Sequence, residues 1–298
     1  MARWIAAVVL TWMIQACGVE GGDLAEEASG GEADDAGRGG EPALVLRDAT
    51  GTRHTFRRPP SRIVSLVPSV SETLHLLGAG HLLVGRTEYD TASYLTHLPS
   101  VGGGLHPSLE RLVSLEPDVV IRFAGGSDGT TPKRLEDLGI PHFSVRPDGI
   151  GDIREIIRTL GVLTRRTRDA DSLLSVMDRE LEEIRARVRG LPRRRVAYVL
   201  GGDPPWVAGP ETYINDLIHL AGGDNVFHDL DALYGPVSTE ELVVRDMDLL
   251  LIPEGGETGF ELPDVQVREV SPDLEIPGPH VARAARELAR ILHPGAFR

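Results

Sequence analysis

Residues 169–192 read DADSLLSVMDRELEEIRARVRGLP and decide the fold. Acidic residues at the start and arginines at the end suit the dipole of a helix, and Gly190 with Pro192 stops it. At about 1.5 Å per residue, a helix from Asp169 to Arg189 spans ~30 Å. Apolar residues recur on one face of this helix: Leu173, Leu174, Met177, Leu181, Ile184 and Val188.

Such a helix either pairs with a second copy as a coiled coil or lies between parts of its own chain. The coiled coil is less favoured, because only about three heptads are present and the charges do not sort by heptad position. A shorter helical run with apolar residues from Ile153 to Leu163 precedes it. We expect a helical segment over residues 149–193.

The segments on either side of this helix repeat each other. SLERLVSLEPDVVI (108–121) aligns without a gap to STEELVVRDMDLLL (238–251), at an offset of 130 residues. An arginine, Arg62 or Arg195, opens the first apolar run of each half. Apolar runs followed by helices are typical of parallel α/β structure. The sequence predicts two related α/β lobes, over residues 42–148 and 194–298.

The N-terminus predicts export. The apolar run from Trp4 to Ile14 is too short to span a membrane and has signal-peptide proportions. Cys17, the single cysteine, ends a sequence that resembles a bacterial lipobox, so residues 1–17 are predicted to be a lipoprotein signal. A non-lipidated signal cleaved nearby is the alternative. Residues 18–41 carry eight acidic residues against one arginine, a net charge of −7, and predict a disordered tether.

Composition and motifs argue against several classes of protein. The formal net charge of −14 argues against nucleic-acid binding through a basic surface. The chain has no G-x-S-x-G elbow and no P-loop, which argues against an α/β enzyme. It shows no HExxH or Cys/His spacing, so neither a metal site nor a cofactor is expected.

Four stretches in a fixed order carry a family resemblance: RIVSLVPSVSETLHLLGAG (62–80), VGGGLHPSLERLVSLEPDVVI (101–121), DPPWVAGPETYINDLIHLAGGDNVF (203–227) and PVSTEELV (236–243). Together they resemble the class III, or helical-backbone, periplasmic solute-binding proteins of ABC importers, in the cobalamin and iron–siderophore branch. The resemblance implies two Rossmann-like lobes with mainly parallel sheets, one long rigid helix joining them, and a ligand cleft between them. It also implies only small opening and closing motions.

The resemblance implies a substrate-binding lipoprotein that captures a large metal chelate and delivers it to an ABC permease and its ATPase. A cobalamin or other corrinoid is favoured, and a ferric siderophore or haem stays open. An envelope sensor without transport and an α/β enzyme are the alternatives from other classes. We expect a monomer in the bacterial cell envelope, periplasm-facing or on the outer cell surface, touching the membrane only through its lipid anchor.

Aromatic residues on predicted loops are the first candidates for ligand contact, because the chain is poor in aromatics. Trp206 and Tyr234 rank first, then Phe123, then Tyr89, and the resemblance places each on a ligand-lining loop. Arg122, at a strand end, either pairs with a carboxylate or phosphate of the ligand or is simply solvated.

Glu110 and Glu240 occupy matching positions near the starts of the two repeated helices. Each can stabilise its helix dipole. The resemblance implies that they dock onto arginines of the permease, which we favour because the pair recurs once per lobe. Elsewhere, Ser69 and Glu72 form a capping-box pattern. Gly104 stands where some cobalamin binders carry an aromatic residue.

Overall fold

The computed structural model describes residues 43–125, 129–256 and 265–297. The predicted signal peptide with Cys17 and the predicted tether lie outside these residues. The described chain opens with an antiparallel hairpin, β1 (Leu44–Arg47) and β2 (Arg53–Phe56). The buried Asp48 carboxylate accepts hydrogen bonds from the backbone N–H groups of Thr50 (2.9 Å) and Ser144 (3.2 Å), which fastens the hairpin to the N-terminal lobe.

The N-terminal lobe is built on a parallel sheet of four strands in the order β4-β3-β5-β6. Its elements are β3 (Ile63–Ser65), α1 (Pro68–Leu76), β4 (Leu83–Gly85), α2 (Leu109–Ser114), β5 (Val119–Phe123), α3 (Thr131–Asp137) and β6 (His142–Val145). Both faces of the sheet are covered. Val119 and Ile121 pack into the main core on one face, whereas Val120 packs with Leu112 of α2 and Leu135 of α3 on the other.

The start of α1 differs from the prediction. The helix begins at Pro68, and Val67 is an N-cap without a side-chain hydrogen bond. Proline suits the first turn because the N–H that it lacks has no helical partner there. Ser69 therefore lies inside the helix and the predicted capping box with Glu72 is wrong.

Two helices, α4 (Ile150–Leu163) and α5 (Thr167–Val188), lie between the lobes. The 22 residues of α5 give a rod of ~33 Å, which confirms the predicted long helix. Its apolar face packs against α4 and against the C-terminal helix, α8 (Val281–Leu292), and belongs to the core shared with both lobes. The coiled-coil alternative is wrong, because this face is already buried by the protein's own chain.

The C-terminal lobe contains a parallel sheet in the order β9-β7-β11-β12. Its elements before α8 are β7 (Arg194–Gly201), β8 (Trp206–Ala208), α6 (Tyr213–Leu220), β9 (Gly223–Asn225), β10 (Tyr234–Pro236), α7 (Thr239–Val244), β11 (Leu249–Pro253) and β12 (Gln266–Val270). The antiparallel pair β8 and β10 extends from the carboxyl-terminal half of β7. The sequence predicts loops at these two positions, whereas the structure has strands. Each strand is only three residues long, and β10 contains a glycine and a proline, which disfavour strands, so the sequence pattern there is weak.

The two lobes repeat one structural plan. In the N-terminal lobe, the Asp118 carboxylate accepts a bond from the Arg62 N–H (2.9 Å), and the Asp118 N–H donates to the Arg62 carbonyl (2.8 Å). Asp248 and Arg195 make the same two bonds in the C-terminal lobe, both at 2.8 Å. The repeat predicted from the sequence is therefore a structural repeat, while the exact domain boundaries remain a prediction.

Candidate functional site

The carboxyl ends of both sheets lead to one boundary between the lobes. Helix α1 follows the carboxyl end of β3, and residues 271–280 follow the carboxyl end of β12. These two segments touch: a Cβ built on Gly278 would lie 2.7 Å from the Cβ of Ser69. Open α/β sheets bind ligands beyond the carboxyl ends of their strands. This boundary is the candidate ligand cleft.

Trp206 and Tyr234 lie on neighbouring antiparallel strands and not on loops, which corrects the prediction. Trp206 pairs with Pro236, and Tyr234 pairs with Ala208. Residues two apart on a strand share a face, so the two aromatic side chains lie on the same face as diagonal neighbours, within reach of each other. Both are half-buried at the edge of the main core. The pair forms an aromatic surface that is fixed by backbone pairing.

Three polar side chains that the sequence did not single out, Tyr198, Tyr213 and Glu275, lie near Tyr234. The buried Tyr198 phenol donates to the Glu275 carboxylate (2.7 Å), and burial raises the pKa of both groups. Tyr213 is buried as well, and its hydroxyl has no hydrogen-bond partner among the described residues. Tyr198 sits within an apolar run and Tyr213 opens an amphipathic helix, and both look like ordinary core positions, so no local pattern distinguishes them.

The N-terminal lobe contributes Tyr89 and Phe123, both half-buried. Phe123 is the last residue of β5, and the backbone of Gly125 lies against its ring. Tyr89 lies on a loop that Asp90 organises: the buried Asp90 carboxylate accepts from the Thr87 N–H (2.8 Å) and hydroxyl (2.7 Å). The Tyr89 N–H donates to the same hydroxyl at 3.2 Å. The loop geometry therefore depends on a buried carboxylate.

Arg122 and Gly104 are both closely packed. Arg122 is only 7% exposed, and its guanidinium donates to the Phe123 carbonyl (2.9 Å) and to His142 Nδ1 (3.4 Å). The alternative of a solvated arginine is wrong, while its pairing with a ligand stays a prediction. A Cβ on Gly104 would lie 2.4 Å from the Leu66 carbonyl oxygen, so an aromatic residue at this position requires a different backbone.

The sequence profile of the periplasmic binding protein family matches residues 63–264, which is more than half of the chain. The chain belongs to this family. The Bacillus subtilis ABC transporter substrate-binding lipoprotein YvrC is 24% identical over 274 residues, covering 86% of this chain and 87% of YvrC. The vitamin B12-binding protein of Yersinia pestis (strain Pestoides F) is 26% identical over 195 residues, covering 64% of this chain and 69% of that protein.

The solved structure of the periplasmic heme-binding protein RhuT from Roseiflexus sp. RS-1, in its apo form, has the same fold. It superposes with a TM-score of 0.69 at 24% identity, covering 79% of this chain and 99% of RhuT. The prediction of a class III binding-protein fold, with two α/β lobes joined by a long helix, is confirmed.

Glu110 and Glu240 occupy equivalent places in the periplasmic binding protein fold. Each lies in the first turn of its helix, after the N-cap serines Ser108 and Ser238, and each is exposed. Neither carboxylate has an ion-pair partner among the described residues. The structure therefore brings one solvent-facing acid to each lobe in the same local setting.

Within residues 43–125, 129–256 and 265–297, no helix is both long and apolar enough to cross a bilayer. No group of three or more His, Cys, Asp and Glu side chains in the same residues is arranged to hold a metal ion.

Proposed function

We propose that this chain is the substrate-binding component of an ABC importer and that it binds a large, flat metal chelate, a corrinoid in the first instance, between its lobes. The observation that carries this proposal is the aromatic surface of Trp206 and Tyr234, whose tyrosine lies near Asp148 and Glu275 at the boundary between the lobes. Two adjacent aromatic side chains suit a broad, largely apolar ligand face. The names of YvrC and of the vitamin B12-binding relative support the transporter role and the ligand class.

Binding requires no covalent chemistry in this proposal. Trp206 and Tyr234 contact one side of the ligand from the C-terminal lobe, and Phe123 and Tyr89 contact it from the N-terminal lobe. The aromatic strands and the long helix are held by packing before the ligand arrives, so little ordering of the chain opposes binding. Arg122 pairs with an anionic group of the ligand if that group reaches it.

Docking to the permease is the second step of the proposal. Glu110 and Glu240 project from matching helices, and each has an exposed valine one turn later, Val113 at 47% and Val243 at 53% exposure. Each lobe thus offers an acid next to an apolar contact, suited to a partner that carries arginines. Cys17 supplies the lipid anchor at the envelope.

Thermal-shift screening with cyanocobalamin, cobinamide, haem and ferric siderophores tests the ligand class. A ligand present at 100 times its Kd stabilises the folded protein by about 2.7 kcal/mol. A corrinoid should raise the melting temperature of the wild type and have a much smaller effect on Trp206→Ala. If only haem or only a siderophore raises the melting temperature, that compound is the ligand and the corrinoid assignment is wrong. If none of these compounds raises it, the proposal of a chelate ligand is contradicted.

Charge reversal tests the docking surface. Glu110→Lys and Glu240→Lys should each reduce uptake of the chelate by the intact transporter several-fold, because the lysine that replaces the acid repels a facing arginine of the permease. Chelate affinity in solution should stay unchanged, since neither carboxylate is among the proposed ligand contacts. Asp171→Lys, at an exposed position on α5, is the control. An equal loss of affinity and uptake would contradict a docking role.

A further inference from the structure

The two lobes are joined beside the candidate cleft by an ion pair. His280 Nε2 lies 2.9 Å from Glu72 Oε1. Glu72 belongs to α1 of the N-terminal lobe, and His280 is the N-cap of α8 in the C-terminal lobe. Their side chains are 27% and 39% exposed, so the pair is partly shielded from water. Sequence-distant segments of opposite lobes therefore meet through complementary charges.

The backbones next to this pair are in close contact. Gly278 leaves no room for even a Cβ against Ser69, which lies one turn before Glu72 in α1. The ion pair can keep its length only while this contact is closed. Any opening of the cleft at this rim must separate Glu72 from His280.

We propose that the Glu72–His280 pair is a latch that holds the lobes together at the cleft rim while His280 is protonated and releases them when the proton is lost. The part of this inference that concerns ligand retention rests on the proposed function. The part that concerns lobe separation does not, and it is tested without any ligand.

The groups around His280 favour its protonated form. The hydrogen bond with Glu72 raises the pKa of His280, burial lowers it, and the net direction is upward. Within the C-terminal lobe, Asp273 raises this pKa and Arg283 lowers it, and these two side chains pair with each other at 2.6 Å. The latch is therefore formed below the raised pKa and is lost as the pH rises through it.

On the N-terminal side, the Tyr94 phenol lies near the carboxylates of Glu72 and Asp90. Burial and these two carboxylates raise the pKa of Tyr94, which keeps it neutral near pH ~7. His75 stacks on the Tyr94 ring with centroids 3.7 Å apart. A second histidine thus lies close to Glu72 in α1, and a test must separate its titration from that of His280.

The first experiment measures the latch without ligand, in the full chain with Cys17→Ser. Spin labels at Val113 and Val243, one in each lobe, report the inter-lobe distance distribution by pulsed electron resonance. NMR titration reports the pKa of His280 and, separately, of His75. Glu72→Gln and His280→Gln should broaden or lengthen the distance distribution, and Glu72→Gln should lower the pKa of His280. His280→Arg keeps a permanent cation and should retain the closed distances as the pH rises, whereas the wild type loosens as the pH passes through the raised pKa of His280.

The second experiment measures retention of cyanocobalamin by stopped flow. Its dissociation should be roughly two- to fivefold faster in His280→Gln than in the wild type, the size expected for a partly exposed ion pair. The inference is overturned if Glu72→Gln leaves both the His280 pKa and the distance distribution unchanged. If cyanocobalamin does not bind while the distances respond as expected, the latch stands and only the proposed ligand fails.

Discussion

The N-terminal lobe passes from β3 directly into α1, whereas the C-terminal lobe inserts β8 between β7 and α6 and pairs it with β10. Apart from this insertion, the parallel strands follow one order in both lobes. The inserted pair carries Trp206 and Tyr234, the side chains that we rank first for ligand contact. The plan that both lobes repeat therefore supplies the scaffold, and the inserted strands β8 and β10 supply the aromatic surface.

The largest expected effect tests whether the two lobes form one cooperative unit on α5. Leu181→Ala leaves a cavity in the face that both lobes share, and should reduce the free energy of unfolding by about 2–5 kcal/mol. Urea unfolding followed by circular dichroism and by Trp206 fluorescence should shift together. Val176→Ala, on the exposed side of α5, should change the free energy by less than about 0.5 kcal/mol. Separate transitions for the two probes would show that the lobes unfold independently.

The next largest effect compares how much each lobe contributes to chelate affinity. Trp206→Ala should weaken chelate binding by about 2 kcal/mol, roughly thirtyfold, because a half-buried tryptophan at the centre of a contact carries much of the binding free energy. Phe123→Ala, on the N-terminal lobe, should weaken it by no more than about fivefold, since less of the proposed contact depends on it. Isothermal calorimetry with the chelate identified by thermal shift measures both. Equal losses would mean that the inserted strands have no special role.

A third test uses the hairpin β1–β2, which belongs to the N-terminal lobe. Burial alone would raise the pKa of Asp48, but hydrogen bonds from Thr50, His54 and Ser144 outweigh it and lower the pKa to about 2. An unfolded aspartate titrates near ~3.9. Ionised Asp48 should therefore stabilise the fold by ~2 kcal/mol above about pH 4, and this contribution is lost as the pH falls towards about 2.

Asp48→Asn should remove this acid dependence and lower the melting temperature at neutral pH. Asp171→Asn, which changes an exposed carboxylate on α5, is the control and should leave the acid dependence and the neutral-pH melting temperature unchanged. Thermal unfolding of the three proteins from neutral pH to about pH 3 provides the measurement. A wild-type acid dependence that persists in Asp48→Asn would assign it to another carboxylate.

The smallest expected effect concerns the aspartate–arginine backbone contact that both lobes contain. Asp118→Ala and Asp248→Ala each remove a carboxylate that accepts the backbone N–H at the start of a central strand. Each should cost about 1–2 kcal/mol of unfolding free energy, and the two costs should be similar. Guanidinium unfolding of both variants checks this. Unequal values would show that the repeated geometry is not energetically equivalent in the two lobes.

Much of the scaffold could be predicted from the sequence. The periodicity of residues 169–189 predicts α5 because helix formation depends on neighbours three and four residues apart. The repeat aligns Asp118 with Asp248, and in the structure each makes the same two backbone hydrogen bonds with the arginine at the start of a central strand. Ser238 caps α7, with its hydroxyl accepting from the Glu241 N–H at 3.0 Å, as is common for a serine directly before a helix. The long helix and this cap rest on short-range geometry, whereas the contacts of Asp118 and Asp248 join residues that are distant in sequence.

The candidate site could be predicted only in part. Trp206 and Tyr234 stand out by composition, but their common face depends on the pairing of β8 with β10, two short segments separated by α6 and β9. The pattern at Ser69 and Glu72 predicts a helix cap, and the folded chain instead sets Glu72 opposite His280. The sequence by itself determined the helices through local periodicity and the repeat through matching residues at a fixed offset, and its resemblance to a binding-protein family implied the fold class. Strand register and lobe contacts decided which aromatics and charges meet, because those partners are distant in sequence and are brought together only by packing.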